Sequence, residues 1–87
     1  VDSEAMKIAV VIPSYKVAAH IGDVIARIGK EVDRIFVVDD ACPEQSGDYA
    51  ARVGDARVRV LRHEKNQGVG GAVITGYKAA LEEHMDI

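Results

Sequence analysis

Two short runs of β-branched residues with a helical stretch between them constrain the fold of this chain more than any other feature. The first run, KIAVVIP, covers residues 7–13, and the second, RIFVV, covers residues 34–38. Continuous apolar runs of this length are typical of strands buried on both faces of a sheet. A helix is predicted between them over residues 19–32, from apolar residues at helical spacing: Ile21, Val24, Ile25, Ile28 and Val32. This order predicts parallel strands joined by a crossover helix.

The rest of the chain repeats the alternation in a weaker form. The sequence predicts a short helix over residues 45–54, an alternating strand over 58–61 and an amphipathic helix over 72–84. The order βαβαβα indicates an α/β, Rossmann-like domain of three layers, with a parallel sheet in the spatial order 3-2-1. The apolar strand at residues 7–13 then has one unpaired edge. We expect a homodimer that forms through this edge.

Composition limits the partners and the location. The 87 residues carry a formal net charge of -3, which gives no basic field for nucleic acid, so we expect no nucleic-acid partner. Cys42 is the only cysteine and excludes an intramolecular disulfide, which favours a cytoplasmic location. No apolar run reaches the roughly 18 residues that span a bilayer. Residues 1–5 precede Met6 and are interpreted as foreign to the domain, which leaves residues 6–87.

Polar and aromatic residues follow the first two predicted strands. Pro13 and Tyr15 end the first strand, and Asp39 and Asp40 end the second. Ligands of open parallel sheets bind beyond the carboxyl ends of the strands, where a tyrosine ring can stack on a base and a carboxylate can accept its hydrogen bonds. These residues predict a nucleoside pocket. The alternative, that Tyr15 covers a helix end while the aspartates cap a turn, stays open.

The glycine-bearing segment NQGVGG, residues 66–71, precedes the last predicted helix. Backbone N–H groups at a helix start favour an anion such as a pyrophosphate, and glycines allow a close approach. The segment matches neither a Walker A loop nor the G-x-G-x-x-G pattern, and a turn with positive φ explains its glycines as well. The histidines lie on different elements, and no His or Cys pair has metal-site spacing. We expect no metal bound to this chain.

Three segments in register resemble the start of family 2 glycosyltransferases of the GT-A fold. They are VVIPSYK, IFVVDDACPEQSG and HEKNQGVGGAVITGYKAAL. The resemblance covers nearly all of residues 6–87 and is closest to the branch that transfers a sugar to a polyprenyl or dolichyl phosphate. It implies that the chain is the N-terminal, donor-binding part of a GT-A domain. The implied partners are a UDP- or GDP-sugar and, for the parent protein, a lipid-phosphate acceptor.

The resemblance also assigns roles to residues. Pro13 and Tyr15 would line the pocket for the base. Asp40 would accept a hydrogen bond from the base, and Asp39 would support the loop at the end of the second strand. The glycine-bearing segment would border the donor, with a lysine near the diphosphate; the residues implied are Lys65, Asn66, Gly68 and Gly70.

Two positions depart from the family pattern, and part of the family's machinery is missing. Lys16 stands where Asn is frequent, and Ala41 begins a turn where Gly-Ser-Thr is frequent. The family's metal-binding aspartates and its general base would follow residue 87. The resemblance therefore implies an inverting transferase that uses Mg²⁺ or Mn²⁺ at full length, at the cytoplasmic face of a membrane. It implies no catalytic residue in this fragment, which we expect to be inactive alone.

Two other functions compete. A receiver-like or flavodoxin-like signalling module would bind Mg²⁺ through Asp39 and Asp40. However, Arg62 and His63 stand where a receiver's phosphorylated aspartate belongs. A nucleotidyltransferase would carry a glycine- and arginine-rich loop after the first strand, where this chain has PSYKVAAH.

Overall fold

Strands and helices alternate along the chain. The computed structural model describes residues 7–15, 20–41, 43 and 46–84. Within them, the elements are β1 (Ile8–Ser14), α1 (Ile21–Ala26), β2 (Val32–Asp39), α2 (Ser46–Arg52), β3 (Val58–Arg62) and α3 (Gly68–Glu82). The strands are parallel and lie in the order β1-β2-β3. The predicted Rossmann-like α/β fold and its strand order are confirmed.

The two faces of the sheet are covered by different helices. Successive side chains of a strand point to opposite faces. On β2, Ile35 and Val37 belong to one buried cluster with Ile25 of α1, and α2 also contributes to this cluster. Phe36 belongs to a second cluster with Ala80 of α3. The fold therefore has three layers, with α1 and α2 on one side of the sheet and α3 on the other.

Helix α3 lies unusually close to the sheet because small residues face β1. Gly76, Ala72 and Ala80 are buried. A Cβ atom at Gly76 would collide with the side chain of Val11 in β1. This close packing brings the first turn of α3 beside the carboxyl end of β2.

Helix α1 is shorter than the prediction of residues 19–32, and Val32 begins β2 instead of ending the helix. The guanidinium of Arg57 explains the difference. It donates to the backbone carbonyls of Gly29 at 2.6 Å, Val32 at 3.2 Å and Ile28 at 3.3 Å. Partly buried carbonyls need a donor, and here a side chain supplies it, so the helix can end early.

Strand β1 pairs with β2 alone among the described residues, with Pro13 opposite Val38. A proline lacks the N–H that a central strand uses, and is tolerated on an edge strand.

In the same described ranges, none of the helices has both the length and the apolar character needed to span a bilayer.

Candidate functional site

The two aspartates at the end of β2 serve different helices. Since they are neighbours in an extended segment, their side chains leave opposite faces of the sheet. The Oδ2 atom of Asp39 accepts from the N–H of Gly47 in α2 at 3.0 Å. The carboxylate of Asp40 accepts from the N–H groups of Gln67 and Gly68, at the start of α3. Each carboxylate therefore caps the helix on its own side.

Asp40 is a buried carboxylate with three hydrogen bonds. Its Oδ1 accepts from Gln67 N at 2.7 Å and lies 2.7 Å from His63 Nδ1, while Oδ2 accepts from Gly68 N at 2.9 Å. The side chains of Asp40 and His63 are only 5% and 6% exposed. The hydrogen bond to His63 is the main cause of a lowered pKa of Asp40. Burial raises this pKa, but the hydrogen bonds from the backbone of Gln67 and Gly68 lower it further. Asp40 is therefore held ionised.

His63 bridges Asp40 to helix α3. Its Nε2 lies 2.7 Å from Thr75 Oγ1, and that hydroxyl donates to Gly71 O at 3.0 Å. His63 N donates to Asp39 O at 2.9 Å, which continues the β2–β3 pairing one residue past β3. We call His63, with its contacts to Asp40 and Thr75, the His63 bridge. The sequence analysis missed it, although the alternation of Leu61 and His63 along β3 places both on the α3 side.

The glycine-bearing segment does not form a loop before the helix. Gly68 to Gly71 make up the first turn of α3, so the expected helix start at residue 72 was four residues late. Gly68 has φ +79°, the left-handed conformation that only glycine adopts without strain. Asn66 fixes this turn, because its Nδ2 donates to Asp40 O at 3.2 Å and its Oδ1 accepts from Gly68 N at 3.0 Å. The helix start thus holds the carboxylate of Asp40, and the positive φ of Gly68 agrees with the turn that the sequence analysis left open as an alternative. An anion bound at this helix start stays a prediction.

A pocket opens at the carboxyl ends of β1 and β2. It has a volume of about 130 Å³ and combines an aromatic ring, an apolar helix wall and a carboxylate. Among the described residues, those that line it are Pro13, Ser14, Tyr15, Asp40, Val69 and Ala72. The structure therefore brings together three residues that the sequence predicted for the nucleoside, namely Pro13, Tyr15 and Asp40. Val69 and Ala72 were not foreseen, because the first turn of α3 had been interpreted as a loop.

The other predicted residues lie around the pocket rather than in its wall. Asn66 and Gly68 each donate a hydrogen bond to Asp40. The carboxylate of Asp39 accepts a hydrogen bond from Gly47 in α2. Lys65 is exposed and does not line the pocket. Gly70 is exposed, and apart from its chain neighbours and the backbone of its own helix, no heavy atom of the described residues would lie within 4 Å of a Cβ atom placed on it. It thus lies on the open side of the helix turn.

The turn after Asp40 is strained. Ala41 has φ 56°, in the left-handed region that costs a residue with a Cβ atom about 1–2 kcal/mol. This is the position where the sequence analysis noted that the resembling family often has glycine.

The described residues contain no group of three His, Cys, Asp or Glu side chains that could hold a metal ion. Asp39 and Asp40 cannot share one ion as they stand, since their carboxylates bind the starts of different helices. The residues in these ranges therefore do not fit a Mg²⁺ or Mn²⁺ site.

Comparison with known proteins supplies the family. A family model described as "Glycosyl transferase family 2" matches residues 9–85. The chain belongs to this family. Membership in glycosyl transferase family 2 replaces the signalling-module and nucleotidyltransferase hypotheses, and it agrees with the resemblance of the three strand-end segments.

Three curated proteins are similar to this chain over most of its length. The undecaprenyl-phosphate mannosyltransferase of Micrococcus luteus is 33% identical over 86 residues, which are 94% of this chain and 35% of that protein. The dolichol-phosphate mannosyltransferase of Pyrococcus furiosus is 32% identical over 80 residues, 86% of this chain and 23% of its own length. The UDP-N-acetylglucosamine–dolichyl-phosphate N-acetylglucosaminyltransferase of Methanococcus voltae is 30% identical over 95 residues. The match covers 92% of this chain and 38% of that protein. The chain spans less than two fifths of each of these relatives.

Proposed function

We propose that this chain is the donor-binding part of an inverting glycosyltransferase, which transfers a sugar from a UDP- or GDP-sugar to a polyprenyl phosphate or a similar lipid phosphate. The observation that carries the proposal is the pocket in which Tyr15 and the ionised Asp40 meet. Family membership and the names of the relatives, which act on undecaprenyl and dolichyl phosphates, support the transfer reaction.

The nucleoside would occupy the pocket between β1 and α3. The ring of Tyr15 offers a surface on which a base can stack, and Val69 and Ala72 give the opposite wall an apolar character. Asp40 accepts from an N–H group of the base. Because its position is fixed by the start of α3, the acceptor is already oriented before the ligand arrives, which lowers the entropy cost of binding.

The sugar diphosphate would lie over the open side of the first turn of α3. Gly70 is a helical glycine, a choice that costs roughly 0.5–1 kcal/mol relative to alanine. No neighbouring atom in the described structure demands it, since a Cβ atom there would point into open space. A ligand group that approaches the helix turn closely explains the glycine. Lys65, which is exposed in the preceding loop, is the candidate partner of the diphosphate.

The remaining steps belong to the full-length enzyme. We assign no catalytic residue to this chain and propose that the fragment alone is inactive. Mg²⁺ or Mn²⁺ would be bound elsewhere in the parent, and transfer would take place at the cytoplasmic face of a membrane. We also propose a homodimer through the edge of β1, which light scattering tests; a monomer at high concentration would reject it.

Amide chemical-shift mapping with UDP and with GDP at millimolar concentration tests the proposed site. We expect at least one nucleotide to shift the signals of Tyr15, Asp40, Val69 and Ala72. The control is a charged cleft at the opposite end of the sheet, whose signals should stay unchanged; its residues are Lys7, Asp33, Arg34 and Glu83. A folded chain that responds to neither nucleotide, or that responds only at the control cleft, contradicts the proposal.

A further inference from the structure

We propose that His63 is a proton-sensitive switch beside the wall of the nucleotide pocket. As the imidazolium it neutralises Asp40, and when it loses one proton it leaves a negative charge in the wall that weakens the binding of a nucleotide diphosphate. The inference rests on the proposed nucleotide binding and deepens it by naming a proton that regulates it. Among the described residues, His63 does not line the pocket, so it acts as a positioning residue through Asp40.

The Nε2 atom of His63 must carry a proton for its contacts to be complete. Thr75 has one hydroxyl proton, and its Oγ1 lies 3.0 Å from Gly71 O and 2.7 Å from His63 Nε2. A carbonyl oxygen can only accept, so the bond to Gly71 uses the hydroxyl proton. The proton of the shorter contact must then come from Nε2. Both bonds of Thr75 therefore form together only when Nε2 is protonated.

The Nδ1 atom carries a proton as well. Asp40 is ionised and accepts the N–H groups of Gln67 and Gly68, so it has no proton to give. The contact of 2.7 Å between Nδ1 and Oδ1 of Asp40 therefore requires a proton on Nδ1. A ring with a proton on each nitrogen is the imidazolium. The hydrogen bonds thus assign a positive charge to His63, which is buried against the carboxylate of Asp40.

Asp40 is the charged group that faces this ring. Within the described ranges, no other charged side chain forms a hydrogen bond with His63, and its partner on α3 is the uncharged Thr75. Arg62, the preceding residue of β3, points to the opposite face of the sheet and pairs with Asp48 of α2. The other ionisable side chains near the end of β3 and on α3 are exposed to solvent: Glu64, Lys65, Tyr77, Lys78 and Glu82. The loss of a proton from His63 therefore leaves the charge of Asp40 without its compensation.

The charge of this pair reaches the pocket because Asp40 lines it. With the imidazolium the pair is neutral, and with the neutral ring the wall carries one negative charge. A nucleoside diphosphate is itself an anion, and salt screens the repulsion between partly buried charges only weakly. Thr75 would also turn its hydroxyl from Gly71 O to Nε2, so the first turn of α3 would lose a hydrogen bond. Imidazole is the side chain that ordinarily changes charge between about pH 5 and 8, so this is the range to test.

Nitrogen NMR of the histidine rings tests the charge state, on the protein at its full encoded length and without nucleotide. At about pH 6, both ring nitrogens of His63 should have the chemical shift of protonated nitrogen. As the pH rises, Nε2 should lose its proton while Nδ1 keeps its own. The exposed His20 and His84 are internal references. Thr75→Val removes the acceptor of Nε2 and should make His63 lose this proton at a lower pH. A neutral His63 at about pH 6, or an unchanged titration in Thr75→Val, would overturn the inference.

Calorimetric titrations at about pH 6 and about pH 8 test the consequence, with whichever of UDP and GDP binds more tightly. The affinity of the wild type should fall by about threefold or more as the pH rises, because one negative charge is uncovered beside an anionic ligand. His63→Asn retains an N–H towards Asp40 but cannot gain the charge, so its affinity should change much less. The titration of the nucleotide's own phosphates is common to both proteins and cancels in this comparison. If His63 had a purely structural role, the two proteins would depend on pH in the same way.

The results separate the inference from the proposed function. If a nucleotide binds and its affinity for the wild type and for His63→Asn depends equally on pH, the inference is wrong while nucleotide binding stands. If neither nucleotide binds, the proposed function fails and the inference fails with it. Should His63→Asn not fold, Thr75→Val takes its place, and its loss of affinity should occur at a lower pH than that of the wild type. A pH profile of Thr75→Val that coincides with the wild type would then overturn the inference.

Discussion

The Oδ2 atom of Asp40, at the end of β2, accepts the backbone N–H of Gly68 at 2.9 Å, which lies 28 positions later in the chain. Gln67, the N-cap residue of α3, makes no capping bond with its own side chain. The cap of α3 is therefore supplied by a strand, and a negative charge at this position also complements the helix dipole. Asp40 thus joins sheet and helix in addition to its proposed contact with a base.

This double role predicts that Asp40 is important for stability. Asp40→Ala would leave the N–H of Gln67 and the Nδ1 of His63 without their acceptor and would leave the N–H of Gly68 with Asn66 Oδ1 alone. The expected cost is about 3 kcal/mol in the free energy of unfolding. Asp40→Asn keeps one acceptor oxygen and should cost less. Urea unfolding followed by circular dichroism measures both. Equal stability of Asp40→Ala and the wild type would contradict the capping role.

Two glycines in the first turn of α3 should respond in opposite ways to alanine. Gly70→Ala should raise the free energy of unfolding by about 0.5–1 kcal/mol, since the site is helical and open, yet weaken nucleotide binding. Gly68→Ala should lower it by about 1–2 kcal/mol, because φ is +79°. Thermal unfolding and a UDP titration of each variant test this. A Gly70→Ala variant that binds UDP as well as the wild type would remove Gly70 from the site.

The close contact between α3 and β1 predicts a further contrast. Gly76→Ala would force a methyl group against the stiff side chain of Val11, and such overpacking costs about 1–3 kcal/mol. The matched control is Gly22→Ala in α1, where the new Cβ atom would lie 3.8 Å from Val53 Cγ2, an ordinary contact. The control should be neutral or stabilising in urea unfolding. If the two variants are equally stable, α3 does not lie as close to the sheet as described.

Stability should fall at acid pH through two aspartates. The hydrogen bonds from the Arg57 side chain and backbone lower the pKa of Asp55 from 3.8 to about 2, and His63 lowers the pKa of Asp40. A depressed folded-state pKa stabilises the protein above the unfolded value, and this contribution is lost as the pH falls from 3.8 towards 2. Urea midpoints across this range should therefore decrease. Asp55→Asn should show a shallower decrease, and an unchanged slope would contradict the assignment.

The sequence predicted the architecture because its signals are local and periodic. The runs around Val10 and Val37 predicted strands, and their spacing left one simple parallel order. Val37 is fully buried as expected, whereas Val10 is only half-buried, because β1 lies at the edge of the described sheet. The boundary of α1 was wrong because a distant side chain, Arg57, binds the carbonyls that follow the helix. No local pattern contains that contact.

The candidate site was predicted only in part for a related reason. Pro13, Tyr15 and Asp40 come together because all three lie at strand ends, which the strand pattern places. The His63 bridge depends on the registration of β3 against α3, and Thr75 lies in mid-helix, where its residue type carries no signal. Alternation along β3 could have placed His63 on the correct face, but not within reach of Asp40.

The most direct test of the proposed donor site is the affinity for UDP of Tyr15→Ala compared with Tyr49→Ala. Both tyrosines are similarly exposed, at 44% and 48%, but Tyr15 lines the pocket and Tyr49 lies on α2, across the sheet from α3. Loss of a stacking ring should weaken binding by about 1–3 kcal/mol, or roughly fivefold or more. We predict that Tyr15→Ala loses this affinity in a calorimetric titration while Tyr49→Ala binds like the wild type. Equal affinities of the two variants would contradict a nucleoside site at the ends of β1 and β2.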